Sequence, residues 1–338
     1  MASVAPTDAP RLLETPSDPS PIAWVLHDGK AGMASQALGL AEATGFPFIE
    51  KRLAIRFPWV WLPPQLWFLP LWAAGNKGAS LRSPWPDLVI ACGRNAAMPA
   101  LEIRRAAGGH TMAAQIQNPG VGRAEFDLLV VPEHDRLRGP RVIVTRGAVH
   151  RVTEARLAAE RHRFPTLAAM PRPILSVLIG GTNKTYRLTV RRVGEIAEAL
   201  AGILRSRGGS VFVSPSRRTG EAGIAALRER LKGFSTAIWD GSGENPYFAY
   251  LALADAVLVT ADSISMISEA AATGKPVHVL DLDGGNAKFA RFHMTMQAAG
   301  ITRPFSGHIE SWSYSIPDDT ARAGVALRAL VLARRQRA

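Results

Sequence analysis

Short apolar runs alternate with amphipathic stretches along nearly the whole chain. Residues 22–26, "IAWVL", are followed by the polar loop "HDGKAG" and a small-residue helix predicted over residues 34–44. Residues 87–92, 113–117, 126–132 and 141–145 repeat the apolar run. Such runs, bounded by turn signals, predict buried parallel strands. The pattern pauses over residues 155–173, where Pro165, Pro171 and Pro173 gather near the end. It then restarts with "ILSVLIGG", "SVFVSPS", "TAIWD", "DAVLVTADS" and "PVHVLDLD". Helical stripes lie between them: Val190, Val193, Ala197, Leu200 and Leu204 share one face, as do Ile224, Leu227 and Leu231, and Ile264, Ile267 and Ala271. Strands alternating with helices predict an α/β chain of two Rossmann-like domains facing a central cleft. The expected division is a disordered lead over 1–20, a domain over 21–155, a linker over 156–173, a second domain over 174–318 and a terminal basic helix over 319–338.

Composition narrows the partners. The 338 residues are 47% apolar and 20% charged, an ordinary globular balance. The net charge of +12 calls for an acidic partner: a nucleic acid, an anionic lipid surface or a phosphorylated substrate. The arginines are scattered, and no aromatic-basic stacking patch accompanies them, which argues against nucleic acid. Cys92 is the single cysteine, so no internal disulfide forms and a cysteine metal site is implausible. That fits a reducing, cytoplasmic setting. No uninterrupted apolar run reaches membrane-spanning length.

Chemistry is expected in the loops at the strand ends. In "GGTNK", Gly180 and Gly181 would let the backbone approach a ligand or take positive φ, with Thr182, Asn183 and Lys184 adding donors. A helix predicted directly after the loop would aim its free N–H groups at a diphosphate. Ser214 ends the next strand, and Arg217 and Arg218 behind it suit a phosphate. Ser263 and Ser265 could donate to phosphate, and Glu269, early in the following helix, could accept two ribose hydroxyls. The plainer reading is that Asp262 and Ser263 only cap that helix. Asn245 and Tyr247 would lie near a base. In the first half, His27 and Asp28 are the titratable pair at the end of the first strand and candidates for a general base. Gly29, Lys30, Arg94, Asn95, Gln117 and Asn118 line the same rim on the acceptor side. His134, Asp135 and His150 offer an alternative base or a metal pair, but single His-plus-Asp adjacencies are common on loops and no metal is expected.

The segment "FPWVWLPPQLWFLPLW", residues 57–72, stands apart. Trp59, Trp61, Trp67 and Trp72 beside Lys51, Arg52 and Arg56 suit an anchor at an anionic membrane surface. An irregular core insertion or a partner contact is the alternative.

Together "WVLHDGKAGMASQALGLAEATG", "PDLVIACGRNAAMPAL", "IQNPGVGRAEFDLLVVPEHD", "VLIGGTNKTYRLT" and the stretch from "ENPYFAYLALAD" to "NAKFARFH" resemble the ELM (elongated mitochondria) fission family. Its bacterial relatives are described as glycosyltransferase-like. The resemblance covers residues 22–306. The second half more distantly resembles GT-B glycosyltransferases, above all the enzyme that adds N-acetylglucosamine to the lipid-linked peptidoglycan precursor. In that group a Gly-Gly-Ser/Thr loop cradles the diphosphate, matched by Gly180, Gly181 and Thr182. A Ser…Glu-Ala helix start binds ribose, matched by Ser263, Ser265, Glu269 and Ala270. The group's first glycine loop ends in a histidine, whereas His27 precedes the glycines here, so Asp28 is an equal candidate for the base. The resemblance implies a GT-B fold, a nucleotide-sugar donor and no obligatory metal; no cofactor is expected, and the expected acceptor is lipid-linked or in the envelope. The other function it implies is a non-catalytic membrane-associated scaffold.

Overall fold

The computed structural model describes residues 20–63, 66–74 and 80–337. The expected lead over 1–20 lies outside these residues, apart from its last position. The first half runs β1 (Ala23–His27), α1 (Ala31–Thr44), β2 (Phe48–Arg52), α2 (Pro70–Ala74), β3 (Leu88–Cys92), α3 (Arg94–Ala106), β4 (Met112–Ile116), β5 (Leu128–Pro132) and β6 (Val142–Thr145). All its strand pairs are parallel, in the order β2-β1-β3-β4-β5-β6. β1, β3, β4 and β5 are buried at every position. Helices cover both faces of this sheet, which is why these strands read as unbroken apolar runs. β2 carries Glu50, Lys51 and Arg52, stays partly exposed and takes the sheet edge. It has no apolar run and was not predicted as a strand.

The span expected to be a linker is helical: α4 (Glu154–Arg163) and α5 (Pro165–Ala168) fill most of it. Thr153 caps α4 by accepting from the Arg156 N–H. The second half then runs β7 (Ile174–Ile179), β8 (Tyr186–Arg187), α6 (Val190–Arg207), β9 (Ser210–Pro215), α7 (Gly220–Arg230), β10 (Thr236–Ile238), α8 (Tyr247–Leu253), β11 (Ala256–Thr260), α9 (Ile264–Ala271), β12 (Val277–Leu280), β13 (Asp283–Gly284), α10 (Ala287–Ala298) and β14 (Thr302–Pro304). α4 packs along α8, with the Arg156 guanidinium 5.1 Å from the Phe248 ring centre, so it belongs with this half. The second sheet is also parallel, in the order β10-β9-β7-β11-β12-β14. β8 and β13 form a separate antiparallel pair.

The last helix, α11 (Asp319–Arg335), crosses back and packs on α1. Its Ala323, Leu327 and Val331 join Ala37, Leu40 and Ala41 in the core of the first half. Leu327 is fully buried, worth about 1.5–3 kcal/mol by transfer. The helices cross so closely that a Cβ at Gly324 would overlap Ala43.

Candidate functional site

In open α/β sheets the ligand crevice lies beyond the carboxyl ends of the strands, where strand order reverses. The first sheet reverses between β1 and β3 and the second between β7 and β11. The loops at these points are His27–Lys30 with Gly93–Asn95, and Gly180–Lys184 with Asp262–Ser263.

In the second crevice the glycines are required, for a reason other than the one expected. Neither Gly180 nor Gly181 has positive φ. A Cβ at Gly180 would overlap the Asp262 carboxylate, and one at Gly181 would overlap the Arg218 backbone. The Gly180 N–H donates to Thr260 Oγ1 at 2.8 Å and the Gly181 N–H to Asp262 Oδ2 at 3.1 Å. Thr260 Oγ1 donates to Asp262 Oδ1 at 2.7 Å, and Arg218 Nη1 lies 2.7 Å from Oδ2. The anion in the cradle is therefore the chain's own Asp262, fully buried at its side chain. The arginine that reaches it is Arg218, which also donates to the Gly181 carbonyl at 2.9 Å. Arg217 is exposed on the same turn.

The helix expected directly after this loop begins only at Val190, capped by Thr189. β8 intervenes, so α6 does not start at this loop. Asn183 is taken up locally, accepting from the Thr185 and Tyr186 N–H groups at 2.7 and 2.8 Å. Thr182 exchanges bonds with the Leu188 backbone, and Lys184 is exposed. Ser214 is buried within β9, and Asn245 is exposed, accepting from the Tyr247 N–H at 3.1 Å. Ser263 caps α9 through the Met266 N–H, the plainer role foreseen for that stretch.

Glu269 sits in the second turn of α9, 5% exposed. Tyr247 Oη donates to its Oε2 and Ser35 Oγ, from α1 of the first half, to its Oε1, each at 2.5 Å. Burial raises its pKa above the usual carboxylate range, only partly offset by these hydroxyls and the Arg151 charge. Burial and the nearby Glu269 charge also raise the Tyr247 phenol, which keeps it a donor. Beside this pair a chain of side-chain amides crosses between the halves. Gln117 Nε2 donates to Gln36 Oε1 at 3.1 Å, and Gln36 Nε2 donates to Ser265 Oγ at 3.1 Å. Gln117 holds φ 68°, a left-handed conformation costing roughly 1–2 kcal/mol in a non-glycine residue. Ser35, Gln36 and Ser268, which accepts from the Ala148 N–H at 2.9 Å, were not predicted as site residues. No local signal marks them, because the partners that bring them into the site lie 81 or more residues away.

In the first crevice His27 is 1% exposed, and both its ring nitrogens are engaged. Nδ1 accepts from the Gly29 N–H at 3.1 Å, so Nε2 carries the proton and donates to Glu50 Oε1 at 2.9 Å. Asp28 remains partly exposed and pairs with Lys30. Burial, with added repulsion from Asp28, raises the Cys92 thiol far above its ordinary value. Arg52, in register with His27, lies over Gly29, where φ is 76°. Arg52 and Arg94 are exposed, and their guanidinium groups make no hydrogen bond or ion pair with another described residue. α1 and α3 begin at Lys30 and Gly93 with no side-chain cap. Asn95 is half-buried in the first turn of α3. Asn118 accepts from Gly120 and Arg123, and so braces its own loop.

His134 and His150 are buried, and burial lowers both to about 4, which leaves them neutral near pH 7. Asp135 pairs with Lys288 at 2.6 Å and the His134 carbonyl accepts from Arg291 at 3.0 Å, so this corner ties the halves together. Among the described residues no group of three or more His, Cys, Asp or Glu converges as a metal set would. Of the four tryptophans singled out, Trp59 and Trp67 are buried while Trp61 and Trp72 are exposed.

Comparison with known proteins follows this geometry. A family model described as mitochondrial fission ELM1 matches residues 31–331. The chain is 33% identical over 277 residues to mitochondrial fission protein ELM1 of Arabidopsis thaliana, covering 74% of this chain and 65% of that protein. Among solved structures it resembles UDP-GlcNAc 2-epimerase from Methanocaldococcus jannaschii, with TM-score 0.58, 12% identity, and 92% of this chain and 99% of that one covered. The same enzyme in complex with UDP-GlcNAc and UDP gives TM-score 0.54 at 13% identity, with the same coverage. These likenesses carry the fold: two Rossmann-like domains in the GT-B arrangement.

Proposed function

The chain belongs to the mitochondrial fission ELM1 family, and from that premise we propose that its cleft binds a nucleoside-diphosphate sugar and transfers the sugar to an acceptor held by the first half. The observation that carries this reading is Glu269. It is a buried carboxylate in the second turn of α9, facing the first half, whose two hydroxyl donors, Ser35 and Tyr247, are the kind of partners a ribose diol would replace. The UDP-GlcNAc bound to the fold neighbour is consistent with this ligand class. The acceptor, lipid-linked or envelope-borne, meets a protein that works on the cytoplasmic face of a membrane. Its hydroxyl gives its proton to Asp28, since His27 has no free ring nitrogen. The oxygen attacks the anomeric carbon and the diphosphate leaves toward Arg218, which must first exchange Asp262 for it.

That exchange also supports the second reading, a non-catalytic scaffold on the same fold. A cradle filled by its own carboxylate repels a diphosphate unless Asp262 moves. One experiment separates the two: calorimetric titration of UDP-, GDP-, ADP- and CMP-sugars against the natural chain and Asp262→Asn. On the transferase reading at least one donor binds, Asp262→Asn tightens it about tenfold, equivalent to about 1.4 kcal/mol, and Glu269→Ala abolishes it. If no donor binds either protein, the scaffold reading replaces it.

A further inference from the structure

The aromatic segment between β2 and β3 has no part in the cleft chemistry, and its surface is unlike the rest of the molecule. Phe57, Val60, Trp61, Leu66, Phe68 and Leu69 are 57–80% exposed within one short stretch, with Trp72 at 54%. Exposed large apolar residues elsewhere, such as Val190, Met294 and Val325, are scattered singly. Soluble monomers rarely leave contiguous apolar patches of this kind in water. This exposure comes from a packed segment. Trp59, Trp67 and Ala73 form a small core against Ile55 and Met98. The Trp59 indole N–H donates to the Phe68 carbonyl at 2.8 Å and the Trp67 indole N–H to the Leu62 carbonyl at 3.0 Å. The two buried tryptophans thus hold the backbone that presents the exposed residues.

Charge selects the occupant. Between Glu50 and Asp87 the sequence has no carboxylate, while Lys51, Arg52, Arg56 and Arg82 lie within that span. The Arg56 guanidinium stacks 4.9 Å from the Trp72 ring centre, and Arg52 and Arg82 are exposed. A second copy of the chain docking here would bring these cations face to face. An anionic bilayer matches both features at once: headgroups take the arginines, and the apolar tips enter the acyl boundary by roughly 5–10 Å. No helix among the described residues is long and apolar enough to cross a membrane, so the contact is interfacial. We propose that residues 57–63 and 66–72 form a preformed anchor that docks the first domain on an anionic bilayer surface. The anchor leaves β2 at Arg52 and packs on Met98 of α3, beside the mouth of the first crevice.

The test is co-sedimentation of the full chain with vesicles of phosphatidylcholine alone, or of phosphatidylcholine with phosphatidylglycerol. Binding is expected to the anionic vesicles, weakening as salt rises. A Phe57→Ser/Trp61→Ser variant should lose about tenfold or more in affinity, since both side chains are apolar area that would leave water on binding. Val325→Ser, an exposed apolar site on α11, should bind as the natural chain does. Unchanged melting temperatures would show that both variants fold. The proposal is overturned if the natural chain ignores anionic vesicles or if the Phe57/Trp61 variant binds equally well. It is overturned too if the segment instead drives a lipid-free dimer that this variant dissolves. It does not rest on the cleft reading: a failure to bind nucleotide-sugars leaves it standing.

Discussion

At the carboxyl ends of β7 and β11, the Gly180 and Gly181 amides, the Thr260 hydroxyl and the Arg218 guanidinium all find partners within the chain, and Asp262 is the hub. At the carboxyl ends of β2 and β3, flanking β1, the Arg52 and Arg94 guanidinium groups find none among the described residues, and two helices start without a side-chain cap. Both crevices follow from the same topology, yet one is neutralised from within and the other keeps two guanidinium groups without a partner among the described residues. A glycine-rich strand-end loop is therefore a poor sign of a bound phosphate on its own. What separates a cradle that awaits an anion from one that holds its own is a single side chain on the neighbouring strand.

The largest effect should come from breaking the filled cradle. Gly181→Ala places a methyl group against the Arg218 backbone, which is part of a turn tied to Gly180 through Ser216 and Thr219. The backbone cannot swing away as a side-chain tip would, so a loss of about 2–3 kcal/mol is expected in urea unfolding. A loss below about 0.5 kcal/mol, the range of ordinary surface changes, would mean that the loop is looser than this packing implies.

An intermediate effect should come from Glu269, and it depends on pH. Its folded pKa is raised, so the fold favours the protonated form. The stability it contributes is complete below its unfolded value in the ordinary carboxylate range. That stability is lost as pH rises through the higher folded value. Glu269→Gln stays neutral, with an oxygen to accept from one hydroxyl and an amide to donate to the other. It should flatten this segment of the pH–stability curve and gain relative to the natural chain toward pH 7. Parallel curves for the two proteins across that window would show that burial of Glu269 has no such cost.

Much of the fold was legible in the sequence, because strands covered on both faces must be apolar at most positions. β1, β3, β4, β5, β7, β9, β11 and β12 could be read for that reason. What escaped reading has partners far along the chain. β2 is a polar edge strand, and β8 exists only because Asp283 and Gly284 pair with it. The switch-point loops were correctly located, since topology alone places them. Their chemistry was not, because Asp262 and Gly181 lie 81 residues apart and only the fold reveals that one fills the other. The tryptophan segment shows the same limit: composition marked it as unusual, but packing decided that Trp59 and Trp67 hold it together while Trp61 and Trp72 face out.

The smallest stability effect, and the sharpest check on the contrast, belongs to the open crevice. Arg94 is exposed in the first turn of α3, and its guanidinium has no partner among the described residues. Removing its charge therefore breaks no ion pair within the described fold. It also relieves unfavourable positive charge at a helix N-terminus, worth about 0.3–1 kcal/mol when exposed. Arg94→Gln should therefore melt at or slightly above the natural temperature. Arg218→Gln, in the other crevice, strands Asp262, which is fully buried at its side chain, and should melt several degrees lower. Opposite signs for the two arginines are the outcome expected if one serves the fold and the other is kept free for a ligand. Equal losses would mean that Arg94 is also structural, and the difference between the crevices would disappear.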